Sequence, residues 1–143
     1  TRGLTISNCY FEGNGYKNVD LLPVEGSANT VHLDLNCWAI SIHDCIFRKN
    51  LDDEGALISI ADCRGGHIYD NYFYCYNPGK NGIKLRARSE TKPDAEPVIA
   101  DLTVERNWWE NLEHPLTEAE PGVYERALER GCSFDWPLSQ TAD

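Results

Sequence analysis

Apolar and polar residues alternate in short segments of this chain, and four of these segments end in a polar pair followed by two mostly aromatic or aliphatic residues. This pattern occurs at residues 4–11, 40–47, 66–73 and 102–109. Alternation with a period of two residues predicts half-buried β-strands. A unit that recurs at intervals of a few tens of residues is typical of a solenoid, in which each repeat packs on the next.

Further alternating segments lie between these units, at residues 31–35, 56–60 and 83–87. Each is followed by a polar turn and then by the next copy of the unit. Parallel pairing places each residue beside its equivalent in the next repeat, so like residues form columns. The predicted columns are Phe11, Phe47, Phe73 and Trp109, and Cys9, Cys45, Asn71 and Asn107.

These repeats resemble those of the right-handed parallel β-helix proteins of the pectin-lyase-like superfamily. Repeats in that superfamily often combine alternating aliphatic residues with an asparagine at a turn and a following aromatic or aliphatic residue. The resemblance covers roughly residues 4–111. It implies an all-β fold, a right-handed parallel β-helix of about four coils. We expect residues 1–114 to form these coils in a fragment of a longer chain.

Residues 115–143 are predicted to form a C-terminal cap or a packed loop segment. Within it, Pro near the start, Arg130 in the last turn and Gly131 directly after predict a short helix. Three apolar side chains of this helix are expected to close the end of the core: Val123, Ala127 and Leu128. Residues 13–28 and 88–98 are too long for turns and are predicted to be loops, where binding residues often lie.

The charge balance constrains the partners. The chain has 13 Lys and Arg against 23 Asp and Glu, a net charge of −10. Nucleic-acid affinity depends on neutralising phosphates, so we expect no nucleic-acid partner. No apolar run reaches the roughly 18 residues that span a bilayer, so no membrane span is expected. The resemblance implies a secreted or cell-surface location.

The six cysteines admit two interpretations. Because Cys9 and Cys45 occupy the same place in the repeat, we favour packed thiols in an inward column over disulfides. Neighbouring parallel strands lie about 4.8 Å apart, which is near the lower end of the Cα separation that a disulfide spans. A bridge between Cys9 and Cys45 therefore stays open as the alternative.

Candidate binding residues follow from alternation in the segments at 31–35, 56–60 and 83–87. If the aliphatic residues point inward, their polar neighbours point outward. Stacking then predicts two outward rows: His32, Leu57 and Lys84, and Asp34, Ser59 and Arg86. Arg88 continues the same outward register.

The resemblance gives these rows a possible chemistry. In polysaccharide lyases of the superfamily, a Lys or Arg removes the proton beside a uronate carboxylate. Cations neutralise the negative charge of that carboxylate. Lys84, Arg86 and Arg88 are candidates for these catalytic roles, by position. Substrate-binding candidates are His32, Asp34, Ser59 and the outward-facing Trp108, whose flat ring fits the apolar face of a sugar. The alternatives are a solvated charged face and, for Trp108, packing under a loop.

The acidic segment Asp52-Asp53-Glu54 is a candidate Ca²⁺ site, as in calcium-dependent pectate lyases. Paired acids also resemble those of polygalacturonases, where carboxylates act as acid and base. That family's Asn-Thr-Asp element is absent here, which disfavours a glycoside hydrolase. A turn with solvated acids is the alternative to both.

Two functional hypotheses remain. In the first, the chain is a carbohydrate-active β-helix that binds an acidic polysaccharide and, as an extension, cleaves it by β-elimination. In the second, it is a non-catalytic structural or binding segment of a tailspike, adhesin or surface protein, as a homotrimer or part of a longer chain. Because fold does not imply function, whether the chain is an enzyme stays open at this point.

Overall fold

The computed structural model describes residues 1–12, 31–34, 36–49, 56–75, 81–89, 92 and 94–139. These residues form thirteen strands and one short helix, α1 (Val123–Glu129). The strands of the first sheet are β1 (Thr5–Ser7), β4 (Trp38–His43), β7 (Cys63–Tyr69), β10 (Ile99–Glu105) and β13 (Ser133–Phe134). The second sheet contains β2 (Tyr10–Glu12), β5 (Ile46–Lys49), β8 (Tyr72–Cys75) and β11 (Trp108–Glu110). The third contains β3 (Val31–Leu33), β6 (Ala56–Ile60), β9 (Asn81–Leu85) and β12 (His114–Glu118).

All pairings between these strands are parallel, and every one joins a strand to the one three positions later in the chain. The chain therefore visits the first, second and third sheets in turn before it returns to the first. Parallel strands cannot be joined by a tight hairpin, so this order of visits lets every strand find a parallel neighbour. The predicted all-β class with parallel sheets and a short C-terminal helix is confirmed.

The predicted aromatic column is present in the second sheet. Phe11 pairs with Phe47, Phe47 with Phe73, and Phe73 with Trp109. The ring centroids of these three pairs lie 4.9, 5.0 and 4.3 Å apart, and the planes are within 14° of parallel. Phe47 and Phe73 are fully buried, so the column forms a large part of the apolar core.

A ladder of side-chain amides lies at the entry to the second sheet. The Asn71 carbonyl oxygen accepts the backbone N–H of Cys45 at 3.0 Å, and its NH₂ group donates to the carbonyl of Ile42 at 3.0 Å. Asn107 repeats this one strand later, accepting the Asn71 N–H at 3.0 Å and donating to Ile68 at 3.1 Å. The Asp135 carboxylate ends the ladder by accepting the Asn107 N–H at 3.0 Å. Each side chain thus satisfies buried backbone groups of the preceding repeat.

The residues before Cys9, Cys45, Asn71 and Asn107 are left-handed. Asn8, Asp44, Asp70 and Arg106 have φ of 53°, 53°, 54° and 54°. Asn and Asp tolerate this conformation better than most residues, which explains the polar pairs in the sequence pattern. Arg106 has no such preference, but its guanidinium donates to the Asp70 carboxylate at 3.0 Å. These residues turn the chain from the first sheet to the second.

A second left-handed column crosses the first sheet itself. Ala39, Gly65, Asp101 and Gly131 have φ of 52°, 67°, 51° and 83°. The strand pairing passes over this position, since Arg64 pairs with Ala100 and Gly66 pairs with Leu102. The column is therefore a left-handed kink that recurs at the same position from strand to strand.

The helix α1 adds to the core. Val123 and Ala127 are buried within the hydrophobic cluster. Leu128 was expected to join them, but this prediction is wrong because its side chain is 43% exposed. Residues four apart lie on one helix face, whereas the residue after Ala127 points about 100° away from it.

Two strands of the C-terminal segment were not predicted. The strand β12 pairs with β9 in the third sheet, and β13 pairs with β10 in the first. Pro115 lies within β12, and a proline in a strand disfavours a central position because it lacks an N–H donor. Within the described residues β12 has a partner on one side only, which is where proline is tolerated.

The cysteines whose side chains are described form no disulfide with each other. Cys37, Cys45, Cys63 and Cys132 are buried, as the packed-thiol interpretation expects, whereas Cys9 is exposed. Burial raises the pKa of the Cys63 thiol to about 12 and raises the pKa of the other three buried thiols as well. A buried thiol is a weak nucleophile because the thiolate is the reactive form.

We expect Phe73→Ala to lower the free energy of unfolding by about 3–5 kcal/mol, because it leaves a cavity in the middle of the aromatic column. Tyr10→Ala on the exposed face of β2 is the matched control and should cost less than about 1 kcal/mol. Urea unfolding followed by circular dichroism measures both. Equal losses for the two variants would contradict the assignment of Phe73 to the core.

Iodoacetamide at pH 8 should alkylate Cys9 in the folded protein and leave Cys63 unmodified. Burial raises the pKa of the Cys63 thiol to about 12, so at pH 8 this thiol is protonated and unreactive. Peptide mass spectrometry after a short exposure measures the modification at each site. The same treatment in 8 M urea is the control and should modify both cysteines. Equal labelling of Cys63 and Cys9 without urea would refute the predicted burial.

Candidate functional site

The outward row of the third sheet differs from the predicted rows. His32 pairs with Ser59, Ser59 with Lys84, and Lys84 with Thr117. The predicted pairing of Leu57 with Lys84 and of Ser59 with Arg86 is therefore wrong, because the register is shifted by two residues. Because side chains alternate with a period of two, a shift of two residues keeps the same face outward, and the sequence pattern fits both registers.

Burial also differs from expectation on this face. Leu57 and Ser59 were predicted to be outward and solvated, but both are fully buried. Lys84 is half-buried between Ser59 and Thr117, and Thr117 is 2% exposed. In the described part of the chain, neither Ser59 Oγ nor Thr117 Oγ1 has a hydrogen-bond partner. A row of buried polar side chains thus surrounds Lys84.

Several predicted binding residues lie elsewhere. Asp34 accepts a hydrogen bond from Ser89 Oγ at 3.0 Å. The side chain of His32 lies outside the described residues, although its backbone belongs to β3. The predicted Ca²⁺ ligands Asp52, Asp53 and Glu54 also lie outside the described residues, so the calcium site stays a prediction.

Arg86 and Arg88 meet two further arginines in a cleft of about 400 Å³ between the end of β9 and α1. Arg126 and Arg130 line the opposite wall. The four residues, Arg86, Arg88, Arg126 and Arg130, are called the arginine cleft below. Among the predicted site residues, only Arg86 and Arg88 are brought together here, since Lys84 does not line the cleft.

Two backbone hydrogen bonds hold the walls of the arginine cleft. The N–H of Arg86 donates to the carbonyl of Ile60 at 2.9 Å, and the N–H of Ala87 donates to the Glu120 carboxylate at 2.7 Å. The second bond ties the end of β9 to the turn before α1. Arg126 in α1 and Arg130 directly after it are four residues apart and lie next to the buried face of Val123 and Ala127.

The arginine cleft concentrates positive charge in a chain of net charge −10. Its lining contains these four arginines and two acidic residues, Asp94 and Glu96. Within the described residues, Arg88, Arg126 and Arg130 form no ion pair. Ile99, Val123 and Ala127 supply apolar surface. Guanidinium groups bind carboxylates through paired N–H donors, so this arrangement suits a carboxylated ligand with an apolar body.

Arg126 and Arg130 were missed as binding residues, because the helix was interpreted as a cap alone. Their spacing was the available signal, since cations four residues apart share a helix face. That this helix face lies beside the end of β9 was not recognisable from sequence, because contact between residues about forty positions apart depends on the tertiary fold.

Trp108 lies on the second sheet, in a different place from both the arginine cleft and Lys84. It is 66% exposed and continues the row of Tyr10, Ile46 and Tyr72. The outward orientation expected from alternation is therefore present. The predicted catalytic and sugar-stacking residues thus occupy three separate regions: the Lys84 row, the arginine cleft and the second sheet.

A comparison with known protein families, curated proteins and solved structures found no match. Within the described residues, no helix has the length and apolar character that a membrane-spanning segment needs. In the same residues no group of three or more His, Cys, Asp or Glu side chains is placed to hold a metal ion. The function is therefore argued from the site itself.

We expect Thr117→Val to be neutral or to raise the free energy of unfolding by up to about 1 kcal/mol, because it removes a buried hydroxyl that has no partner. Asn71→Leu is the control, since it removes a side chain that satisfies buried backbone groups, and should cost about 2–3 kcal/mol. Urea unfolding compares the two variants. Destabilisation by Thr117→Val of more than about 1 kcal/mol would show that this hydroxyl has a partner.

Proposed function

We propose that the chain is a right-handed parallel β-helix similar to those of the pectin-lyase-like superfamily. The order in which the chain visits three parallel sheets supports this proposal, because each circuit adds one strand to every sheet. The aromatic column and the asparagine ladder support it as well, since both repeat once per circuit. A solenoid built in this way presents long outer surfaces that suit extended polymers.

We infer that the chain binds an acidic polysaccharide through the arginine cleft. The observation that carries this proposal is the convergence of Arg86 and Arg88 with Arg126 and Arg130 around one cleft. A polymer with one carboxylate per sugar offers each guanidinium a planar anionic partner. The cleft volume of about 400 Å³ falls in the range typical of ligand pockets.

The remaining lining residues fit a sugar better than a simple ion. Ile99, Val123 and Ala127 offer apolar surface to the ring, and the Asp94 and Glu96 carboxylates accept hydrogen bonds from hydroxyl groups. The same carboxylates disfavour very highly charged ligands such as polysulfates by repulsion. The preferred ligand is therefore a polyuronate. Because the chain as a whole is negatively charged, local contacts in the cleft must supply the affinity for this ligand.

Cleavage by β-elimination extends this proposal. In that reaction a base removes the proton beside the uronate carboxylate, a carbon–carbon double bond forms, and the bond to the neighbouring sugar oxygen breaks. That oxygen leaves as a hydroxyl group after taking a proton from water. Lys84 is the proposed base, because it lies two residues before Arg86, so the two side chains are on one face of the chain. Since Lys84 lies between Ser59 and Thr117 and does not line the cleft, the substrate would have to extend from the cleft along this face to reach it. Arg86 and Arg88 are proposed to neutralise the carboxylate. A Ca²⁺ ion at Asp52, Asp53 and Glu54 would serve the same purpose.

This function implies a secreted or cell-surface location, where acidic polysaccharides occur. The location and the absence of a nucleic-acid partner stay predictions from sequence.

A second candidate function is a structural segment of a longer rod or of a homotrimer. It is favoured by the first strand of each sheet, since among the described residues β1, β2 and β3 each have a partner on one side only. Such edges accept further strands.

We expect Arg88→Ala and Arg126→Ala each to weaken binding of a galacturonate hexamer about five- to tenfold, which corresponds to about 1–1.4 kcal/mol. Both residues are exposed, so the fold should be unaffected. Isothermal titration calorimetry at two salt concentrations measures the effect, and added salt should weaken binding by the wild type most. Arg2→Ala is the matched control, because Arg2 is an exposed arginine that stacks over Trp38 outside the cleft.

Four outcomes separate the hypotheses. Ultraviolet absorbance that rises with polygalacturonate and is lost in Lys84→Met would support elimination, whereas binding without absorbance supports a binding module. If Arg2→Ala weakens binding as much as Arg88→Ala, the arginine cleft is not the site. If no acidic polysaccharide binds and the folded chain forms trimers, the structural role is favoured.

A further inference from the structure

A second groove lies at the corner where the chain turns from the first sheet to the second. Its volume is about 350 Å³. One wall consists of the left-handed turn residues Asp44, Asp70 and Arg106, and the other of Ile46, Tyr72 and Trp108. This site is called the corner groove below. None of its lining residues lines the arginine cleft.

The walls of the corner groove are held rigidly. Asn71 lies at its base, and the asparagine ladder fixes that residue to the strands on either side. Ile46 pairs with Tyr72, and Tyr72 with Trp108. Neighbouring residues of the apolar wall therefore lie one strand spacing apart, about 4.8 Å. The groove therefore has a regular, straight shape before any ligand arrives, which lowers the entropic cost of binding.

The apolar wall is exposed to an unusual degree. Trp108 is 66% exposed and Ile46 is 39% exposed, and Tyr10 extends the same row with 52% exposure. Large apolar side chains in one exposed row are a feature of binding surfaces. The flat rings of Tyr72 and Trp108 suit a ligand with a flat apolar face.

The polar wall presents oriented hydrogen-bonding groups. Arg106 donates to the Asp70 carboxylate at 3.0 Å, and the Asp44 carboxylate lies 2.7 Å from His43 Nδ1. These contacts orient the two carboxylates but leave other lone pairs to accept hydroxyl donors. Beside the apolar wall, the Tyr72 hydroxyl donates to Glu110. The lining also contains one guanidinium, that of Arg106, which is already paired with Asp70. The surroundings therefore stay net acidic, which disfavours uronates, phosphates and nucleic acid through repulsion.

Apolar rings on one side and carboxylates on the other match an uncharged amphipathic ligand. A pyranose has an apolar C–H face and hydroxyl groups around its edge. We propose that the corner groove binds a neutral polysaccharide, whose sugar faces lie on Tyr72 and Trp108 and whose hydroxyl groups donate to Asp44 and Asp70. A second copy of this chain fits less well, because the same face would bring Asp44, Asp70 and Glu110 against their own copies.

This binding site does not depend on the arginine cleft. The two ligands differ in charge, so the protein would hold a neutral and an acidic polysaccharide at separate places. Linking two such modules on one rigid body increases the affinity for a matrix that contains both polymers.

The test uses calorimetric titration of the folded chain with cellohexaose, mannohexaose and a galacturonate hexamer. We expect at least one neutral hexamer to bind with a dissociation constant at or below the millimolar range, and Trp108→Ala to weaken that binding at least tenfold. Asp70→Asn should weaken it about fivefold, through loss of a hydroxyl acceptor. Trp136→Ala is the matched control, because Trp136 is a 43% exposed tryptophan outside the corner groove.

The variants of the arginine cleft separate the two proposals. Arg88→Ala should leave neutral binding unchanged, whatever it does to the galacturonate hexamer. The proposal is overturned if neither neutral hexamer binds at several millimolar, or if Trp136→Ala weakens binding as much as Trp108→Ala. It is also overturned if Trp108→Ala abolishes self-association seen by analytical ultracentrifugation, since that row would then be an interface between copies.

Discussion

The register of the parallel strands is the constraint on which the rest of this structure depends. Each side chain lies beside its equivalent in the next repeat, so a polar or aromatic position is satisfied by its own copies. Asn71 and Asn107 hold this register at the turn into the second sheet, where each amide bonds to backbone groups of the preceding strand. Phe47 and Phe73 hold it in the core through ring stacking. A slip of one strand by one residue would turn its aromatic side chain outward and bring polar side chains into the core.

The same register creates the surfaces that are candidates for function. The corner groove exists because left-handed residues at one turn align in a column, with Ile46, Tyr72 and Trp108 aligned beside them. The arginine cleft has another origin, since it forms where the stack meets α1 and the repeat ends. Repetition therefore provides an extended surface, and its interruption provides a concave one. Both kinds of surface occur on a chain whose net charge is −10. Because acidic residues outnumber the cations, the attraction that a cation exerts on an anionic ligand is confined to its own surroundings.

Much of the fold was predictable from individual residues. The spacing of Phe11, Phe47, Phe73 and Trp109 indicated stacking, and the Asn71 and Asn107 positions indicated turns of one kind. The predictions failed where local pattern was ambiguous. Ser59 was placed beside Arg86, whereas it pairs with Lys84, because a two-residue shift preserves alternation. Leu128 was placed in the core, although the helical period directs Val123 and Ala127 there.

The sequence by itself determined the strand class, the inward columns, the polar turns and the presence of a short helix. These features depend on side-chain size, alternation and backbone preference, which are local properties. Only the tertiary structure decided that Arg126 and Arg130 face Arg86 and Arg88, and that Asp70 and Trp108 line opposite walls of one groove. Those arrangements depend on how the strands stack in space and where α1 packs. No local pattern encodes the distance between residues that meet only after the chain has turned through several strands.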